Sequence, residues 1–100
     1  MEIEDIMVPR GMAIGSKFTG NEKKDLAMLQ RACKKECDER IAELDNIMKS
    51  AQTISAVSKK CRDAIKELQT LKRHIPGYFT KYHDTILDWI ILFRLRKSVE

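Results

Sequence analysis

Between Asn21 and Ile75 the chain contains neither glycine nor proline. These two residue types are the strongest local breakers of regular structure, so more than half of the 100-residue chain is free to form long helices. A chain of this length forms one domain, and its single core leaves little stability to spare. We therefore predict an all-α fold. It would be a small three-helix bundle, or a helical hairpin plus a C-terminal helix, with a flexible N-terminal arm.

The first twenty residues have a different pattern. Pro9, Gly11, Gly15 and Gly20 interrupt any helical period there. Terminal segments that nothing ties down are commonly loose. We predict a flexible arm over residues 1–20 and a single helical domain over residues 21–100.

A first amphipathic helix is predicted over about residues 21–53. Its apolar positions fall within one arc of about 140° when residues are placed 100° apart. They are Leu26, Leu29, Cys33, Cys37, Ile41, Leu44, Ile47, Met48, Ala51 and Ile54. Two start signals compete, because Thr19 with Glu22 fits a capping box and Asn21 is itself a favoured N-cap residue.

A second helix is predicted over about residues 56–75. Extrapolated along one straight helix, its apolar stripe is rotated by roughly 110–130° from the first, more than heptad drift produces. We expect a turn near Thr53–Ser58, with a single bent helix as the alternative. Ile75 precedes a proline, which disfavours helical dihedrals, so Pro76 and Gly77 are predicted to end the helix. The stripe consists of Val57, Cys61, Ala64, Ile65, Leu68, Leu71 and Ile75.

A third helix is predicted over about residues 78–98. Eight of the ten residues from Ile86 to Leu95 are apolar, and a helix apolar all round has to be covered on more than one side. Interfaces between proteins favour tryptophan, other aromatic residues and arginine. The predicted partner-binding residues are Leu87, Trp89, Ile91, Leu92, Phe93, Arg94, Leu95 and Arg96. We expect one face of this helix to pack on the other two helices and the opposite side to remain for a partner. The inward face is Tyr82, Ile86, Trp89, Ile90 and Phe93, and the outward side is Leu87, Ile91, Leu92 and Leu95, edged by Arg94 and Arg96. The alternative is that this is simply the most buried helix of the fold.

The net charge of +4 is concentrated in residues 51–75, which alone carry six basic and two acidic residues. Lys59, Arg62, Lys66 and Arg73 fall within about 60° of one another on a helical projection, opposite the second apolar stripe. Such a stripe is an ordinary solvated face, a contact for an acidic partner, or a contact for nucleic acid. No aromatic residue lies among the four to stack on bases.

The three cysteines do not indicate a disulfide framework, since their number is odd and their spacing is wide. Cys33 and Cys37 stand four apart, but a zinc site would need a second close pair, and both lie in the apolar stripe. We predict no metal and no cofactor. His74 and His83 have no evident nucleophile beside them, and no phosphate-binding loop is present. The chain is therefore predicted not to be an enzyme.

The acidic start, Met1 to Asp5, is unlike a signal peptide, and no apolar run is long enough to span a membrane. A cytoplasmic protein is expected. The predicted function is a small helical protein–protein interaction protein, an adaptor, modulator or inhibitor of a larger protein or enzyme complex. The alternative is a nucleic-acid-binding regulator that uses the basic residues of the second helix. Self-association is a third option, although the phase shift interrupts a long coiled-coil seam.

Overall fold

The computed structural model describes residues 1–50 and 54–96, and all regular structure within them is helical. The elements are α1 (Glu4–Ile14), a 3₁₀ turn (Gly15–Lys17), α2 (Glu22–Met48), α3 (Ser55–Lys81) and α4 (His83–Arg94). The all-α class is confirmed. The C-terminal part of the third predicted helix, residues 97 and 98, lies outside the described residues.

The two long helices, α2 and α3, pack against each other as an antiparallel pair. The Lys72 ammonium lies 2.7 Å from a carboxylate oxygen of Asp38, and Leu44 near the end of α2 shares a groove with Ala64 in the first half of α3. The two apolar stripes therefore belong to two separate helices rather than to one bent helix. Residues 51–53, at the expected turn, lie outside the described part of the chain.

The core lies where the short helices α1 and α4 pack onto this pair. α1 and α4 have 11 and 12 residues, whereas α2 and α3 have 27 each. At 1.5 Å per residue the short helices extend less than half as far as the long ones. They therefore cover only part of the α2–α3 pair. The central buried cluster is Ile3, Ile6, Met7, Phe18, Leu29, Cys33, Cys37, Leu68, Ile75, Phe79, Ile86, Ile90 and Phe93.

The N-terminal segment, which we predicted to be a flexible arm, is folded. Residues 4–14 form α1, and the side chains of Ile6 and Met7 are 1% and 0% exposed. Arg10 lies 3.7 Å from Glu36 on α2, and the Tyr78 hydroxyl donates a hydrogen bond to Glu4. Buried aliphatic side chains stabilise a fold by roughly 1.5–3 kcal/mol each, which offsets the poor helical propensity of this segment.

The glycines of this segment allow helices to approach closely. A Cβ atom at Gly11 would overlap the ring of Phe93, and one at Gly15 would overlap the Phe93 carbonyl oxygen. Both glycines are buried, and neither has a positive φ. They are therefore required here for their small size, which lets α4 reach α1 and the turn after it.

A buried carboxylate fixes the connection between α1 and α2. Asp25 is 1% exposed and accepts hydrogen bonds from the backbone N–H groups of Thr19 and Gly20, at 2.8 and 2.9 Å, and from the Thr19 hydroxyl. Gly20 has φ +89°, which favours glycine. Of the two predicted start signals, Asn21 is the N-cap, because its side chain accepts from the Lys24 N–H at 3.0 Å.

The second long helix does not end at Ile75, as we predicted, but continues through Pro76 to Lys81. A proline inside a helix costs about 3 kcal/mol. Ile75 and Phe79 on either side of it are 1% and 5% exposed, and burying two such side chains offsets that cost. The third predicted helix accordingly begins later than residue 78, at His83, directly after Tyr82.

Replacing Gly15 by alanine is expected to lower the free energy of unfolding by about 1–3 kcal/mol, the usual cost of overpacking. The φ of −52° suits alanine, so the cost comes from the contact with the Phe93 carbonyl, which is backbone and unable to rotate away. Gly77→Ala is the matched control. A Cβ atom at position 77 meets nothing within 4 Å, so this substitution should stabilise α3 by about 0.5–1 kcal/mol. Urea unfolding followed by circular dichroism measures both, and equal effects would contradict the steric explanation.

Candidate partner-binding surface

One side of α4 is part of the core. Ile86, Ile90 and Phe93 are 0%, 3% and 0% exposed, and Trp89 is partly buried against the same cluster. Phe93, which the sequence placed among the partner-binding residues, therefore has no exposed surface to offer. Its ring instead packs against Gly11. Removing it is expected to destabilise the fold, as core Phe→Ala changes do.

The other side of α4 carries exposed aliphatic residues. Ile91 and Leu95 are 50% and 61% exposed, and Leu87 and Leu92 are partly buried. We call these four residues the α4 outer surface. Single exposed leucines are common on proteins, whereas contiguous exposed apolar patches are typical of interaction sites.

Two arginines border this surface. Arg94 and Arg96 are both exposed, and Arg96 has φ +55° just after the end of α4. Basic side chains at this end also interact favourably with the helix dipole. The Arg94 guanidinium lies beside Gly20, at a cleft of about 120 Å³. The cleft is lined by Gly20, Glu22, Asp25, Leu87, Ile90, Ile91 and Arg94.

A second apolar surface, which the sequence analysis missed, lies between α2 and α3 beyond the start of α1. We call it the distal groove; its volume is about 360 Å³ and its lining is Met1, Arg40, Glu43, Leu44, Ile47, Ala64, Glu67 and Leu68. Ile54 and Val57, at the same end of the molecule, are 64% and 39% exposed. The apolar stripes contain several of these residues, but their periodicity does not indicate how far along the helices α1 and α4 extend.

The predicted basic stripe forms one line on α3. Lys59, Arg62, Lys66 and Arg73 are all exposed, on the side of the helix opposite its buried residues Cys61, Leu68 and Ile75. The cleft beside Arg94 is lined by none of these four residues.

All three cysteines are buried, with free thiols. Cys33 and Cys37 are both 0% exposed, on consecutive turns of α2. Burial, with the neighbouring Cys37 thiol as a smaller cause, raises the pKa of Cys33 from 9.0 to about 12. Burial also raises the pKa of Cys37. Within residues 1–50 and 54–96, no group of three or more His, Cys, Asp or Glu residues is arranged to hold a metal ion.

No helix in the described part of the chain has the length and apolar character that crossing a membrane requires. Comparison with protein-family models, with curated proteins and with solved structures found no match to this chain. The interpretation of its surfaces therefore depends on their own physical properties.

The buried thiol predicts a specific pH dependence of stability. The folded-state pKa of Cys33 is raised, so the unfolded chain loses this proton first, and stability present below pH 9 is lost as the pH rises toward 12. The difference in unfolding free energy between the wild type and Cys33→Ala should narrow by about 1 kcal/mol from pH 9 to pH 10. Urea titrations with a reducing agent at both pH values measure it. A constant difference would show that the thiol titrates alike in both states.

Proposed function

We propose that this chain is a small helical protein-interaction protein, an adaptor or modulator of a larger protein, which it contacts through the α4 outer surface. The observation that carries this proposal is the two-sided character of α4. Ile86, Ile90 and Phe93 anchor one side in the core, while Ile91 and Leu95 remain half or more exposed on the other. A helix fixed in this way presents its outer side chains with little loss of conformational entropy on binding.

The chemistry of the surface indicates what kind of partner it fits. Aliphatic side chains next to arginines match an apolar patch or groove with carboxylates at its edge. Arg94 and Arg96 would pair with those carboxylates and fix the orientation of docking. An inhibitor is one form that such a modulator takes.

The test compares two double variants of matched chemistry. Ile91→Gln with Leu95→Gln changes the α4 outer surface, and Ile54→Gln with Val57→Gln changes exposed aliphatic residues at the other end of the molecule. All four positions are exposed, so both variants should keep wild-type helicity and melting temperature. We expect the first pair to weaken binding of the partner at least tenfold and the second to leave it unchanged, because truncation of interface anchors costs 1–2 kcal/mol or more each.

The partner is first captured from an extract of the native host with the wild-type protein. Its affinity for all three proteins is then measured by titration calorimetry with purified components. Full affinity in the Ile91/Leu95 variant would refute the proposal. Loss of affinity in the Ile54/Val57 variant alone would show that the partner binds at the distal end of the molecule.

A further inference from the structure

The exposed face of α3 between Lys59 and Arg73 carries basic and polar side chains and no apolar ones. Its first and last cations, Lys59 and Arg73, are 14 positions apart, which is about 21 Å along the helix axis. Gln69 and Thr70, which lie among them, are polar and exposed. This face therefore offers positive charge along a straight line, without the apolar or aromatic anchors that a protein interface requires.

The four cations are also unpaired. No carboxylate of the described residues lies within 4.0 Å of any of them, and Arg73 makes only a hydrogen bond to the hydroxyl of Thr70. Lys72, one residue away but on the side toward α2, is instead paired with Asp38 at 2.7 Å. The charges of the exposed face are thus not neutralised within the described residues.

The acidic residues of α3 lie to one side of this line. Asp63 and Glu67 are the only carboxylates on the helix, and Glu67 is held by the Met1 amino group at 2.6 Å. On a helical projection both are displaced from the centre of the basic line toward the distal groove. A linear anion can therefore approach the four cations along the opposite edge.

We propose that Lys59, Arg62, Lys66 and Arg73 form a binding surface for the phosphate backbone of double-stranded nucleic acid. Each strand of a duplex carries one phosphate for about every 3.4 Å of its axis, so about 21 Å of axis contains about six phosphates per strand. Those that face α3 lie within reach of its four cations. Attraction of this kind needs only charge, because neutralising phosphates releases condensed counterions. A duplex fits better than a single strand, since no aromatic side chain lies on this face to stack on unpaired bases. The contact would be independent of sequence and does not depend on the function proposed for α4.

The experiment measures fluorescence anisotropy of a labelled, mixed-sequence duplex of about 20 base pairs, as DNA and as RNA, between about 25 and 200 mM KCl. With four phosphate contacts, the logarithm of the binding constant should fall against the logarithm of salt concentration with a slope of up to about −3.6. Both duplexes should bind, because both carry the phosphate backbone, and a single strand of equal length should bind more weakly.

Two charge reversals test the location of the contact. Arg62→Glu with Lys66→Glu should weaken binding at least tenfold at low salt and roughly halve the slope. Lys17→Glu with Lys23→Glu is the control, since both lysines are exposed, lie off α3, and give the same net charge change. It should keep a slope close to that of the wild type. Arg62→Ala with Lys66→Ala, which suits a helix, should reduce binding less than the reversal does.

Three results would overturn the proposal. One is the absence of duplex binding at about 25 mM salt. Another is an equal loss of binding in the control and in the Arg62/Lys66 variant, which would mean that only net charge matters. The third is displacement of the duplex by an equal charge concentration of polyglutamate, which would show that the surface takes acidic proteins as readily as nucleic acid.

Discussion

Phe93 lies at the point where α4 meets α1, and its position depends on two glycines. The absence of a side chain at Gly11 makes room for its ring, and the absence of one at Gly15 makes room for its carbonyl oxygen. This contact joins the two short helices to each other, and together they cover one part of the α2–α3 pair. It also decides which side of α4 is inside. With Phe93, Ile86 and Ile90 buried, the helical repeat turns Ile91 and Leu95 outward.

Two further contacts hold the N-terminal part in place. Asp25 binds the two backbone N–H groups of the turn before α2, and Tyr78 donates to Glu4 on α1. Burial and the bonded Glu4 carboxylate together raise the pKa of Tyr78, so the phenol remains a donor across the physiological range. The Asp25 contacts are local and fix the turn before α2, whereas the Tyr78–Glu4 contact joins α3 to a segment distant in sequence.

The two proposed contacts use different physical forces. The α4 outer surface offers aliphatic area with arginines at its edge, and binding there depends on excluding water from Ile91 and Leu95. The basic face of α3 offers charge without apolar area, and binding there depends on salt. Because the residues involved are different, the two sets of variants test the two contacts separately.

The periodicity of the sequence was enough to predict the all-α class and the stripes of the two long helices. The residues before the first long helix offered Asn21 and Thr19 as competing caps, and the structure decided for Asn21. These features are local, because a helix places residues three and four apart on one face and a cap acts within one turn. The features that depend on contacts between residues distant in sequence were predicted wrongly. Gly11 and Gly15 looked like breaks, but the ring and backbone of Phe93 use their small size. Pro76 looked like an end, but the burial of Ile75 and Phe79 keeps the helix intact around it.

The candidate surfaces were also predicted from the sequence only in part. The composition of residues 86–95 and the line of basic residues on α3 were visible in the sequence, because both repeat with the helix. The helical repeat also predicted Leu87, Ile91, Leu92 and Leu95 as the outward side of the third helix. The complete burial of Phe93, which the sequence also named as a contact residue, and the position of the distal groove followed only from tertiary packing. Apolar residues on every side of α4 make its orientation weakly defined by the sequence. The contact of Phe93 with Gly11 and Gly15, which only the tertiary structure shows, is what fixes that orientation.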